Sequence, residues 1–271
     1  MIGDPDPVYV QARSALLDAA DALQPHIESI VLVGAQAIYL HTGSADLAVA
    51  EFTTDADFSL DPTDLDDSPL IDFLLRSKGF LPREHPGGWT SPAGIYVDLM
   101  VPEALAGTGR RSADLGLHGK RVARRALGLE GATIDCSRIT IPSLDPADER
   151  EVTMSVAGPG ALLVAKLHKL GERVANNDRV KDKDALDVFR ILRAIETLDL
   201  AERLVMLGRS PNSQSVTETA LVLLGELFGT SDSEGVRLAC RATDLLMDPS
   251  ELAQSAVFLT NDLLRGVETT S

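Results

Sequence analysis

The sequence predicts an α+β protein, a mixed sheet with flanking helices followed by a C-terminal helical domain. Three observations carry this expectation. Short aliphatic or alternating runs in the first half read as buried strands, and segments with apolar residues at helical spacing lie between them. After Gly158-Pro159-Gly160 the composition changes, and the recognisable segments all carry the 3.6-residue period.

Taken in order, Val8 to Leu23 has apolar positions at helical spacing and stops before Pro25. Ile30 to Val33 is an aliphatic strand ending at Gly34, and Gln36 to His41 reads as the helix that leaves it. Phe52 to Leu60 alternates polar and apolar residues and reads as a second strand. Leu65 to Ser77 resembles an amphipathic helix ended by Gly79. Ile95 to Val101, closed by Pro102, is another strand, and Ala132 to Ile141 contains one more. Helices are expected at Ala161–Val174, Asp184–Ile195, Ser215–Leu227, Gly235–Met247 and Ser250–Leu264. The tract from Leu144 to Gly160, with two prolines and the charge run Asp148-Glu149-Arg150-Glu151, reads as a boundary. The expected domains are therefore residues 1–155, bearing the catalytic site, and 156–271, helical.

With 271 residues, 44% of them hydrophobic and 24% charged, the chain has an ordinary globular composition and can bury a core without staples. The net charge of −16 argues against a whole surface devoted to nucleic acid or anionic lipid. Cys136 and Cys240 form no CxxC pair, so neither a disulfide scaffold nor a cysteine zinc site is expected. The first residues lack the basic and apolar regions of a secretory signal, and no apolar run approaches the ~20 residues that cross a bilayer. These features predict a cytoplasmic protein without a membrane span.

The candidate chemistry starts from Gly34-Ala35 opening a helix, followed by Thr53-Thr54-Asp55-Ala56-Asp57-Phe58. Residues two apart on a strand share a face, so Asp55 and Asp57 project together. Adjacent carboxylates repel, and a divalent cation resolves the conflict. Asp98 lies in the apolar strand Ile95–Val101, where a carboxylate facing the same ion explains its presence. Three carboxylates suit Mg²⁺ (or Mn²⁺), whose remaining ligands come from water and phosphate. The helix opened by Gly34 and Ala35 offers backbone N–H groups to a triphosphate. The alternative for the acidic pair is a solvated loop in an acidic protein.

Gly34-Ala35-Gln36-Ala37, then Thr53-x-Asp55-x-Asp57, with Asp98 in a later strand, resembles the nucleotidyltransferase superfamily, whose pattern is a Gly-Gly or Gly-Ser turn, hDhDh and a third acid. In the second half, Leu162-Leu163-Val164-Ala165-Lys166-Leu167-His168-Lys169-Leu170 and Lys183-Asp184-Ala185-Leu186-Asp187-Val188 resemble the two helices of the AbiEii-type toxin nucleotidyltransferases. The resemblance spans Ile30 to Leu192, about 60% of the chain. It implies a nucleotidyltransferase-fold sheet, metal on Asp55, Asp57 and Asp98, and deprotonation of an acceptor hydroxyl favoured by Asp98. It further implies nucleotide binding by Gly34, Ala35 and Lys166, with Asp184 orienting Lys166 or the nucleotide. The implied substrates are a nucleoside triphosphate and the 3′ end of tRNA or another RNA, and the implied protein partner is a cognate antitoxin. Ala35 stands where the superfamily has Gly or Ser, and Glu51 where it often has Arg. A snorkelling lysine is the alternative for Lys166, and a solvated helix surface the alternative for Asp184 and Asp187.

Other patterns fail on detail. Glu51-Phe52-Thr53-Thr54 is not the apolar strand preceding a haloacid-dehalogenase-like Asp55-x-Asp57, and a calcium loop from Asp55 would need Gly where Leu60 stands. Gly119-Lys120-Arg121 lacks the first Gly and the Ser/Thr of a phosphate loop. The five histidines form no HxH or HExxH pair. Residues 110–125 and 166–193 hold 14 of the 25 basic residues, enough for a cationic lane if both line one cleft. That lane has few aromatics; Trp89 can stack on a base or pack in the core. The sequence thus predicts nucleotidyl transfer to an RNA end. Its alternatives are transfer to a small molecule or protein, and a non-catalytic binding protein of the same fold.

Overall fold

In the computed structural model of the chain, residues 5–43, 51–176, 182–243 and 246–270 are described. Helix α1 (Pro7–Ala22) opens on Asp6, whose carboxylate accepts the Val8 N–H at 2.8 Å, with Pro7 supplying the helical φ of the first turn. Its face of Ala12, Leu16, Ala19 and Ala20 is buried. Strand β1 (Ile30–Val33) is buried along its whole length and runs directly into α2 (Gly34–Thr42).

The other elements of this half are β2 (Asp55–Leu60), α3 (Ile71–Ser77), β3 (Leu81–Pro82), β4 (Gly88–Thr90), β5 (Tyr96–Pro102), β6 (Arg124–Ala126), β7 (Cys136–Pro142) and β8 (Glu151–Ala157). The strands form one mixed sheet in the order β3-β4-β5-β2-β1-β8-β7, with β6 also paired to β5. Strand β2 runs antiparallel to β1 and parallel to β5, and β1 is parallel to β8.

The fold class agrees with expectation, and several local readings change. Helix α3 begins at Ile71 rather than Leu65, because Pro69 disfavours helix in the residue before it. The segment before α3 is held by two buried histidines: His26 Nε2 lies 2.6 Å from the Pro69 carbonyl, and His118 Nδ1 accepts the Ile71 N–H. The tract read as a boundary contains β8, an interior strand between β1 and β7. Its period-two signal is there in Met154 and Val156, both buried, but the preceding charge run masks it.

Strands β3, β4 and β6 are too short to show a period. The approach of β6 to β5 just before β4 needs Gly87, where an added Cβ would stand 2.4 Å from the Leu99 carbonyl oxygen and 2.5 Å from the Arg124 nitrogen. Trp89 in β4 is 1% exposed and donates its Nε1–H to the Val122 carbonyl at 3.1 Å, so it packs the core and stacks on no ligand. Trp89→Phe keeps most of the ring packing and orphans that carbonyl. Its expected cost is about 1–3 kcal/mol, read by urea denaturation followed by circular dichroism.

The remaining described helices are α4 (Pro159–Ala175), α5 (Asp182–Ala194), α6 (Thr197–Arg209), α7 (Gln214–Phe228), α8 (Glu234–Ala242) and α9 (Pro249–Thr270). Helix α6 has no counterpart in the sequence reading. Packing divides the chain into one unit of Met1–Ala37 with Ala50–Ala157, holding the sheet, and another of Ile38–Val49 with Gly158–Ser271, holding α4 to α9. The division falls after Ala157, and the second unit also takes the segment that follows Ala37. No described helix is long and apolar enough to cross a membrane.

Candidate active site

The acids of the sheet unit are placed by strand alternation. On β2 and β5 the side chains of Ala56, Phe58, Val97 and Leu99 are buried at 1% exposure or less. Asp55, Asp57 and Asp98 take the other parity and are half-buried. The parallel register pairs Asp57 with Asp98 and Asp55 with Tyr96, so the three acids share one face of neighbouring strands. Adjacent strands lie about 4.8 Å apart, so this row carries a dense negative charge.

Gly34 shapes the edge of that row. Val33, the last residue of β1, pairs with Asp57 on its other side, and the chain then turns through Gly34 at φ 75° into α2. A Cβ on Gly34 would stand 2.1 Å from Asp57 Oδ2. Only glycine allows both this φ and this approach, which brings the Asp57 carboxylate against the amino end of α2, where the helix dipole favours negative charge.

Gln36, one turn position on, ties α2 to β2. Its amide donates to the Asp55 carbonyl at 2.9 Å and the Ala12 carbonyl at 3.1 Å, and its oxygen accepts Arg13 Nε–H at 2.9 Å. Buried Arg13 also donates to the Tyr9 hydroxyl and the Pro142 carbonyl. Burial pushes the Tyr9 phenol up to about 12, against the opposing pull of Arg13. Gln36 is thus a positioning residue for the acidic strand.

The acids also have direct partners. The buried Thr53 hydroxyl donates to Asp55 Oδ1 at 2.6 Å. Arg124 from β6 approaches Asp98 Oδ2 through its Nη2 at 3.3 Å and its Nε at 3.4 Å. A counter-charge therefore comes from a distant strand, where the nearby sequence position carries Glu51. Among the described residues, no three His, Cys, Asp or Glu side chains are gathered closely enough to hold a metal. The chemistry of the donor set nevertheless suits a hard cation: three carboxylates on one face, beside a glycine turn whose missing side chain lets Asp57 Oδ2 close on the backbone. Asp55, Asp57 and Asp98 are the residues that would hold it.

The other sequence-predicted site residues form a separate cluster within the helical unit. Lys166 on α4 is 6% exposed, and its ammonium donates to Asp184 Oδ1 at 3.0 Å and Asp187 Oδ2 at 2.6 Å on α5. Lys166 is therefore a clamped, buried cation and does not snorkel. Asp184 and Asp187 are 2% and 1% exposed, which excludes the solvated-surface reading for both. Arg173 pairs with Asp184 and Lys169 stands 3.8 Å from it. Burial penalises the Lys166 ammonium, but Asp187 and Asp184 outweigh it and raise its pKa. Burial likewise opposes ionisation of Asp184, while Lys166, Lys169 and Arg173 hold its pKa below the ordinary carboxylate value.

The expected basic lane is largely committed to structure. Lys120 pairs with Asp114, Arg121 donates to the Arg83 and Glu84 carbonyls, and Arg125 donates to the carbonyls of Gly107 and Gly109. Arg124 is the member that reaches an acid of the row. Arg179 and Lys181 of the second stretch lie outside the described residues.

Sequence reasoning missed Arg124, Gln36 and Tyr96 as neighbours of the acids. Tyr96 was legible, since it stands two residues before Asp98 on the same strand; Arg124 was not, because its approach depends on the pairing of β6 with β5. No protein-family model and no curated protein matches this chain.

Proposed function

We propose that the sheet unit carries an Mg²⁺-dependent nucleotidyltransferase centre, which moves a nucleoside monophosphate from a nucleoside triphosphate to an acceptor hydroxyl. The observation that carries this reading is the register that sets Asp57 beside Asp98 and puts Asp55 on the same face, next to a glycine turn that opens a helix. A row of carboxylates on adjacent strands is costly unless a cation or polyphosphate–cation complex completes it.

Asp55 and Asp57 bind from β2, while Asp98 accepts the proton of the acceptor hydroxyl at a carboxylate oxygen. The amino end of α2, with the backbone of Gly34 and Ala35, receives phosphate oxygens. The acceptor oxygen bonds to the α-phosphorus, the bond from that phosphorus to the bridging oxygen breaks, and pyrophosphate leaves. Bound Mg²⁺ supplies neutralisation of the charge on the phosphoryl oxygens. Lys166 and Asp184, to which the resemblance assigns phosphate and positioning roles, are observed as partners of each other in the helical unit.

The resemblance extends the reading to the 3′ end of tRNA as acceptor and to toxicity controlled by an antitoxin. The test is transfer of label from α-³²P nucleoside triphosphates to a total tRNA pool with magnesium present. Label transfer by the wild-type chain, reduced at least about 100-fold in Asp57→Ala, is the expected result. Absence of labelling on RNA, protein and small hydroxyl acceptors would favour a non-catalytic binding protein.

A further inference from the structure

The acid-bearing face continues beyond Asp98 into a feature with no counterpart in the sequence reading. Tyr96 shares the face of Asp98 by strand parity and is the register partner of Asp55. The residue is 45% exposed, and the Arg83 guanidinium carbon stands 3.7 Å from the ring centroid. That distance is a stacked cation–π contact. Among the described residues no carboxylate pairs with the Arg83 guanidinium. Next to it, the His85 ring fills the space a Cβ on Gly88 would need, with Cε1 2.0 Å from that position; Gly88 is the register partner of Asp98.

Across the face the order is therefore the Gly34 turn, the β2 acids, Asp98 with Tyr96, and then His85 and Arg83. In-line transfer places the attacking hydroxyl opposite the leaving pyrophosphate. With phosphates at the amino end of α2, the acceptor comes from the β4 side, where Tyr96, His85 and the half-buried Arg83 lie. An exposed aromatic ring backed on one face by a guanidinium leaves its other face for an unpaired base to stack on, and the positive charge suits the adjoining phosphate.

We propose that the Arg83–Tyr96 stack is the platform for the terminal base of a single-stranded RNA acceptor. This rests on the nucleotidyl-transfer reading and assigns two residues to the RNA end that the resemblance implies as acceptor. The platform excludes an acceptor held by its ribose and phosphate alone, and it makes Tyr96 a binding residue whose ring, and not its hydroxyl, does the work.

The test is fluorescence anisotropy with a 5′-fluorescein single-stranded RNA hexamer, which requires no turnover. Tyr96→Ala is expected to weaken hexamer binding by about tenfold or more, Arg83→Gln by a similar factor, and Tyr96→Phe by less than about twofold. Binding of a non-hydrolysable nucleoside triphosphate, measured by calorimetry, is expected to be unchanged in all three. Because Tyr96 is exposed, wild-type circular dichroism is expected for Tyr96→Ala. Failure of the wild type to bind the hexamer overturns the platform, as does equal binding by Tyr96→Ala or a loss in Tyr96→Phe as large as in Tyr96→Ala. Hexamer binding that depends on Tyr96, without label transfer to any acceptor, removes the enzyme and supports the platform. Label transfer to tRNA with an acceptor KM unmoved by Tyr96→Ala supports the enzyme and overturns the platform.

Discussion

Gly34→Ala is expected to abolish label transfer and to destabilise the sheet unit. At φ 75° a non-glycine residue costs about 1–3 kcal/mol in backbone strain alone. The methyl group adds a collision, since its carbon would lie 2.1 Å from Asp57 Oδ2. The backbone cannot relax freely, because Gln36 holds the following turn to the Asp55 carbonyl and to Ala12. Relief therefore comes from displacing the Asp57 carboxylate, the group that the proposed chemistry needs. Urea denaturation monitored by the fluorescence of Trp89 reads the stability loss, and the tRNA labelling assay reads the activity. A variant with wild-type stability and transfer rate would remove the glycine turn from the site.

Lys166→Met is expected to cost about 3–5 kcal/mol at pH 7, since it leaves two buried carboxylates without their shared cation. Asp187 suffers most. Among the described residues Lys166 is its ion-pair partner, whereas Asp184 keeps Arg173 and Lys169.

The pH dependence has a definite sign. Asp184 has a lowered folded pKa, so its stabilisation is complete above the ordinary carboxylate value near 4 and is lost as pH falls through the lower folded value. Lys166 has a raised pKa, so its contribution is full below the ordinary lysine value of about 10.4 and fades only above it. The wild type thus loses stability on the acid side. In Lys166→Met protonation instead relieves the buried carboxylate charge that Lys166 no longer balances, and the gap between the two proteins narrows from pH 7 to pH 4. Denaturation midpoints by circular dichroism at the two pH values measure this; a gap constant with pH would mean that the lysine contributes packing and not charge.

Much of this architecture was legible along the chain. Strand β1 is an unbroken aliphatic run with a glycine at its end, and its bounds agree with the reading residue for residue. The parity of Asp55, Asp57 and Asp98 followed from period two. The illegible parts share one cause: their signal is shorter than a period or is overwritten by charge. Strands β3, β4 and β6 hold two or three residues each, and Glu149 and Glu151 obscure the strand that ends at Ala157. At Asp187 the solvated-surface alternative fails for a different reason. A charged residue on a polar-looking helix is ordinarily solvated, and its burial follows only from the lysine that meets it from α4.

The linear order of residues was enough to say that carboxylates of one parity sit on short strands after a glycine turn, because alternation and turn chemistry are local properties of the backbone. It could not say that Asp57 lies beside Asp98, that Arg124 answers Asp98, or that Arg83 stands over Tyr96. Those pairings are set by strand order and register, which minimise the free energy of the whole sheet and are written in no single segment.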